Sequence, residues 1–434
     1  MTQLVEADLT WTGTRFESHT QIAIGDDGRI EAVGPLGRTP TLRLARRAVL
    51  PGFVNAHSHG FQRGLRGKGE RFPSGAGSFW TWRNAMYELA DSLDLETAHA
   101  LYLQAFREMR DAGITTCGEF HYLHHLGADR DYEFDGVVLD AARAAGIRLT
   151  LLNAFYTTGG VGRPLQPAQR RFESKDLSAY WAALDRLLAR CDPRLQTVGV
   201  VAHSIRAAPL DAIVALHCEA QRRGLRFHMH VEEQRAEIDE CRAAYDRRPM
   251  ELLNEALKIA GNLTAVHCTH TDPRDMTRFL AAGGSVCVCP LTEGNLGDGL
   301  PALDLVHAAG GRLSIGTDSN ARICMLEEMR WLEYGQRLRR EERGVLTDSA
   351  GRVATALLDA ATAGGAAALG VQAGRLEAGY WADFVVVDLD VPSLARLDAE
   401  SLLEGLIFGA GDGAIVGTMV GGDWRESGAA ARHC

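Results

Sequence analysis

The feature that most constrains this chain is an alternation. Eight short β-type runs, each rich in Val, Ile, Leu, Phe or Thr, recur between about residues 49 and 320, with segments of helical spacing between them. The runs are VLPGFVNAHSH, ITTCGEFH, RLTLLNAFY, QTVGVVAHS, RFHMHVEEQ, LTAVHCTH, GSVCVCPLT and RLSIGTDSN. The intervening segments include LETAHALYLQAFREMRDAG, LSAYWAALDRLLARC and LDAIVALHCEAQRRG. Strand and helix alternating eight times predict an α/β fold, a TIM-type (β/α)8 barrel. A chain of 434 residues, 46% hydrophobic, is long enough for that barrel and one appendage.

The flanks read differently. Residues 1–50 alternate in strand fashion around the turn GDDGR, and residues 370–434 do the same through GRLEAGYWADFVVVDLD and AIVGTMVGGDWRESG. Both ends are therefore expected to form one small discontinuous β-sandwich around a barrel of residues 51–369. A Gly-rich, Arg-bearing segment with aromatics, residues 60–84, follows the first barrel strand and is long for a plain connection. Its place at the barrel mouth suits a lid.

Composition removes several classes. No apolar run approaches the roughly 18 residues needed to cross a bilayer, and MTQLVEADLTW lacks a basic segment followed by an apolar core. Neither membrane span nor secretory signal is expected, and the cytoplasm is the expected compartment. A net charge of −10 opposes a nucleic-acid surface, which needs a basic footprint. Nine cysteines with no CxxC pair read as small buried hydrophobes in a reducing compartment.

The chemistry gathers at the run ends. His57 and His59 close the first run, and side chains two apart on a strand face the same way, so both imidazoles can point into the barrel mouth. His228, His230 and Glu233 close the fifth run, His267 and His270 the sixth, and Asp318 the eighth. A lone histidine is ordinarily a core or surface residue; so many at strand ends that converge in a closed barrel are poorly explained that way. Imidazoles with a carboxylate suit a borderline divalent ion such as Zn2+, with room for a water of lowered pKa. A second, bridged ion would want a carboxylated lysine at the end of the fourth strand. That strand reads GVVAHSIR, far from Lys68, Lys175 and Lys258, so one metal is favoured over two.

This constellation resembles the amidohydrolase superfamily and its mononuclear deaminase branch. The resemblance implies that His57, His59, His230 and Asp318 hold the metal and that His267 and Glu233 work on water and substrate, with Asp318 also a proton acceptor. The runs HSHGFQRG, SFWTWRNAMY, GEFHYLHH, AHSIRA, HVEEQ, HCTH, TEGNLGDG and RWLEYGQRL look like the formimidoylglutamate deiminases within it, collinearly from about residue 50 to 340. Where those enzymes read Ser-His-Val-Ser after the metal Asp, this chain reads Ser319-Asn320-Ala321-Arg322.

The resemblance implies hydrolytic deimination of N-formimino-L-glutamate to N-formyl-L-glutamate and ammonia, in histidine degradation, by a homodimer. Such a substrate carries two carboxylates and an amidine, and an arginine fork matches a carboxylate with two parallel donors. By the same resemblance Gln62, Arg83, Tyr122, His203 and Arg206 are the substrate contacts. At most one of His121, His124 and His125 is expected in the site. His270 is expected behind His267, and His228 as an orienter of its neighbour. Glu327 and Glu328 read as the polar face of a helix, Trp331 and Tyr334 as packing. Two other readings stand: the same machinery acting on another amidine or on a heterocycle such as guanine or cytosine, which Arg83 and Arg206 oppose, and a metal-binding barrel without catalysis, which has no need of Glu233 and His267.

Overall fold

Eight parallel strands trace the eight runs: β1 (Phe53–Ser58), β2 (Ile114–His121), β3 (Arg148–Phe155), β4 (Gln196–Ala202), β5 (Phe227–Val231), β6 (Leu263–His267), β7 (Ser285–Val288) and β8 (Arg312–Ile315). Each pairs with the next in chain order. The ring closes through a parallel bridge between Ser58 and Asp318. The computed structural model describes residues 3–70, 79–127 and 131–428. Part of the proposed lid, residues 71–78, lies outside these.

Every residue of β2 and β3 is buried, as expected for parallel strands covered on both faces. The helix Leu95–Asp111 shows how the cover is built. Ala98, Tyr102, Ala105, Phe106 and Met109 recur at helical spacing and are all buried. Asp94 starts it with a capping box, its carboxylate receiving Thr97 N–H at 2.8 Å while Thr97 Oγ1 receives Asp94 N–H at 3.0 Å. Phe106 is fully buried, so its truncation to Ala costs about 3–5 kcal/mol.

The chain ends form one sheet, in the order Asp423–Glu426, Ile415–Val420, Phe384–Asp388, Leu42–Pro51, Gln3–Trp11, Gln21–Ile24, Ile30–Gly34, with Phe16–Glu17 paired on Gln3–Trp11. It curls around its own apolar core, which includes Val5, Ile22, Val49, Phe384 and Met419. The curl brings the turn at Gly28 onto Gly421: a Cβ on Gly28 would meet Gly421 O at 2.4 Å, and its φ is +83°. The C-terminal stretch also holds a helix, Leu402–Gly409, which packs on the helix Met325–Arg340. Its sequence LLEGLIFG is apolar on nearly all sides, so strand and helix periods cannot be told apart there.

Barrel and sheet are locked by Arg148 of β3, whose Nε and Nη2 lie 2.7 and 3.0 Å from the Asp383 carboxylate, both residues buried. Only Gly52 separates Leu42–Pro51 from β1, and a Cβ there would sit 2.2 Å from Thr115 Oγ1. The eight described cysteines are free, and no described helix is long and apolar enough to cross a membrane.

Candidate active site

Closing the barrel assembles the cluster. Asp318 follows β8 with φ +46°, a left-handed conformation uncommon outside glycine, held by Asp318 N–H donating to His57 O at 3.0 Å and His59 N–H donating to Asp318 O at 2.9 Å. Gly316 lets the two strands approach, since a Cβ there would meet His57 O at 2.6 Å. The result is His57 Nε2 at 3.5 Å and His59 Nε2 at 3.3 Å from Asp318 Oδ1, with His230 Nε2 at 3.2 Å from His57 Nε2. All four are buried.

Their hydrogen bonds say which atoms are spare. His59 Nδ1 lies 2.7 Å from Phe120 O, and His230 Nδ1 lies 3.0 Å from His203 O. A carbonyl only accepts, so both Nδ1 atoms carry the proton and each Nε2 keeps its lone pair. His57 Nδ1 is buried with no hydrogen-bond partner among the described residues. Lone pairs converging beside a carboxylate repel one another unless a cation lies among them, so this donor set fits a divalent ion. Burial, then the charge of His57, lowers the His59 pKa to about 3. Burial works against the Asp318 carboxylate, yet the His57 contact and the neighbouring imidazoles hold it well below the usual carboxylate range.

Two further groups reach in. His267 Nε2 is 3.8 Å from Asp318 Oδ2 and 4.0 Å from Glu233 Oε1. Burial pulls its pKa down, but Glu233, Glu293 and Asp318 together raise it to about 10. Burial pushes the Glu233 carboxyl up, against the charges of His267 and Arg206. Glu293, which sequence reasoning passed over, lies 3.3 Å from His267 Nδ1 and accepts Cys289 N–H at 2.9 Å, so it orients the ring. Only the TEGN motif hinted at it.

Above the cluster lies a pocket that is partly open to solvent. Gln62, Arg83, Tyr122, His203 and Arg206 all line it, together with His59, His230, Glu233, His267 and Asp318. The HSHGFQRG turn is a 3-10 helix, Gly60–Leu65, which aims Gln62 at Tyr122 Oη, 2.7 Å away. Gly60 is needed there because a Cβ would meet the Tyr102 ring at 2.5 Å. Arg206 lies 3.4 Å from Glu233 Oε2 and 3.1 Å from Glu237 Oε2. Burial pushes the Glu237 carboxyl up to about 7, with Arg206 opposing. Tyr87 and Tyr156 also face the pocket and were not singled out in the sequence, because isolated tyrosines look like packing.

The other residues singled out in the sequence lie outside the pocket. Asn320 does not face the pocket: its amide donates to Ser58 Oγ, His59 O and Asp318 O at 3.0–3.1 Å, tying the ends of β1 and β8 together. Arg322 has a side chain 62% exposed, near Glu327. His228 orients no neighbour; its Nε2 bonds Ala368 O at 3.0 Å. His121 and His124 both turn to Asp135, and neither they nor His125 and His270 line the pocket. Glu328 is no solvated face. It is fully buried, accepting Leu291 N–H at 2.9 Å, whereas Trp331 on the next turn is 43% exposed.

Against known proteins, the model of the amidohydrolase family matches residues 48–425. The chain belongs to the amidohydrolase family. This amidohydrolase is 39% identical to the formimidoylglutamate deiminase of Pseudomonas aeruginosa, over 94% of this chain and 90% of that one. It is 29% identical to a 5-methylthioadenosine/S-adenosylhomocysteine deaminase of Natronomonas pharaonis, over 93% and 87% of the two chains. Among solved structures it resembles an amidohydrolase from Brucella melitensis with a TM-score of 0.89 and 33% identity, over 98% and 95%. These relatives make the amidohydrolase an enzyme that hydrolyses carbon–nitrogen bonds, of the deiminase and deaminase kind.

Proposed function

We propose that this amidohydrolase converts N-formimino-L-glutamate and water to N-formyl-L-glutamate and ammonia. The observation that carries the reading is a pocket with two guanidinium groups, Arg83 and Arg206, in its walls and the His–Asp cluster at its floor. Cationic donors in the wall of a pocket that ends on a hydrolytic centre suit a substrate with carboxylates at one end and an amidine at the other. The Pseudomonas relative supports the same substrate.

His57, His59, His230 and Asp318 would hold one divalent ion, most simply Zn2+ given three imidazoles and a carboxylate without thiolate. When bound, such an ion lowers the pKa of water towards neutrality and polarises the bond under attack. The residues around it do the rest. Asp318 takes a proton from the attacking water, whose oxygen adds to the amidine carbon, while His267, kept protonated by the carboxylates around it, donates a hydrogen bond towards that oxygen. Glu233, its carboxyl already favouring the proton through burial, gives that proton to the departing nitrogen, which leaves as ammonia. Gln62, Tyr122 and His203 orient the amidine, and the arginines hold the carboxylates. A role in histidine degradation, a cytoplasmic location and a homodimeric state belong to this reading through the family resemblance.

The test is a steady-state ammonia assay with N-formimino-L-glutamate, N-formimino-L-aspartate and guanine on protein of measured metal content. The expected order of kcat/KM is glutamate derivative first, by at least about tenfold, with no turnover of guanine. Preference for guanine would move the reading to the heterocycle deaminases; no ammonia from any of the three would end it.

A further inference from the structure

Beside Arg83 the pocket wall holds a small, closed set of hydrogen bonds whose polarity can be worked out atom by atom. Gln169, fully buried in the 3-10 helix Pro167–Phe172, accepts Gln166 N–H on its Oε1 at 2.9 Å. A backbone N–H only donates, so the amide orientation is fixed and Nε2 must face the other way. There it lies 2.8 Å from Tyr156 Oη and 3.1 Å from Tyr87 Oη. Both phenol oxygens therefore accept from Gln169. Tyr87 Oη accepts again from Arg83 Nε at 2.5 Å, one helical turn earlier on Phe79–Ser92.

A phenol has one proton and two lone pairs. With its lone pairs taken by Arg83 and Gln169, Tyr87 can only donate further. Tyr156, buried at the end of β3, has its proton equally unspent: among the described residues neither hydroxyl hydrogen-bonds to an oxygen acceptor. A hydroxyl proton left without an acceptor is unfavourable in the buried Tyr156 and less so in the half-buried Tyr87, and both residues line the pocket.

Charge points the same way. Arg206 already faces two carboxylates, Glu233 and Glu237. Arg83 forms no ion pair with any described residue; its guanidinium stacks over Trp80 and Tyr87 at 5.2 and 5.1 Å. The uncompensated positive charge of the pocket thus sits beside the two spare phenol protons.

We propose that Tyr87 and Tyr156, polarised by Gln169 and set beside Arg83, are specificity-determining residues that donate their phenol protons to a carboxylate of the substrate. This rests on reading the substrate as a formimino dicarboxylic acid. Gln169 is a positioning residue: it touches no substrate, but as a double donor it forces both phenols to point their protons outward. A carboxylate is the matching partner, since it only accepts and takes two donors together with the guanidinium. A neutral heterocycle offers no charge to Arg83.

The experiment uses the metal-loaded enzyme. Tyr156→Phe removes one donor with no change of shape, and Gln169→Glu reverses the polarity by giving the phenols a carboxylate to donate to. KM for N-formimino-L-glutamate is expected to rise roughly tenfold in Tyr156→Phe and more in Gln169→Glu, as loss of a hydrogen bond to a charged group implies, with a smaller change in kcat. A formimino substrate lacking the α-carboxylate, such as N-formimino-4-aminobutyrate, and one lacking the γ-carboxylate, such as N-formiminoglycine, show which carboxylate the phenols hold: the effect of Tyr156→Phe disappears for one of them. Calorimetric titration with glutarate reads the same contact without catalysis. If the wild type turns over N-formimino-L-glutamate while both variants keep its KM, the phenol contact is overturned and the substrate reading stands. If the wild type does not process it but binds glutarate with the same dependence on Tyr156 and Gln169, the contact stands and the substrate reading falls. Circular dichroism and melting of Tyr156→Phe separate either result from misfolding.

Discussion

Two buried groups of histidine and carboxylate lie at the ends of the neighbouring strands β1 and β2, and residue type does not distinguish them. One joins His57, His59 and His230 and, through His57, also His267 and Asp318; the other is His121, His124 and Asp135. In the second, every nitrogen has a partner. His121 reaches Tyr102 Oη at 3.1 Å and Asp135 Oδ1 at 3.0 Å, and His124 reaches Asp135 Oδ1 at 2.8 Å and Ala154 O at 2.8 Å. Asn153 completes the carboxylate at 2.6 Å. Such a set is closed and serves as a polar core. In the first, the carbonyls of Phe120 and His203 take up Nδ1 protons and leave Nε2 lone pairs facing a carboxylate beneath an open pocket. What makes a binding centre is the unspent lone pair, and carbonyls one layer back decide which atom keeps it.

The largest effect that sharpens this contrast is expected at Asp318. Asp318→Ala should lose the metal, read by elemental analysis, and lower kcat/KM by about a thousandfold or more, while Asp135→Asn should retain full metal. Next comes Glu233→Gln, whose carboxamide keeps the shape of the carboxyl group but cannot deliver a proton. Metal content should stay at wild-type level and kcat should fall by about a hundredfold to ten-thousandfold. Wild-type turnover in a fully metallated Glu233→Gln enzyme would remove Glu233 from its role.

Third is the closed group itself. Asp135→Asn leaves two buried imidazoles without their carboxylate and should lower unfolding stability by about 3 kcal/mol, measured by urea titration. Burial alone would raise the Asp135 pKa, but His124 and His121 hold it well below the usual carboxylate range. A depressed carboxylate stabilises the fold above its unfolded pKa, near 4, and that contribution is lost as pH falls through the folded value. The gap between variant and wild type should therefore narrow below about pH 4; a gap that widened there would contradict the charge assignment. The smallest effect belongs to Arg322→Ala. With its side chain in solvent and outside the pocket, KM should change by less than about twofold, against a clear loss of metal affinity for Asn320→Ala, whose amide ties three groups at the site.

The barrel was legible because its periodicity is local: buried strands and one-sided helices print themselves on neighbouring residues. The helix Leu402–Gly409 was not, since an apolar octet has no polar face to reveal its period. Residues at strand termini were legible for a related reason, as a closed barrel sends every strand end to the same mouth. Glu293, Glu237 and Gln169 were not, because each acts through a partner 26, 31 or 13–82 residues away in the chain.

Taken alone, the sequence determined the eightfold alternation and the convergence of His57, His59, His230, His267 and Asp318 at strand ends. Only the tertiary structure decided which histidines have lone pairs to spare, that Asn320 ties strands together instead of meeting substrate, and that Tyr87 and Tyr156 turn their protons into the pocket. Periodicity and composition are properties of neighbours along the chain, whereas the direction of a hydrogen bond depends on groups that meet only when the barrel closes.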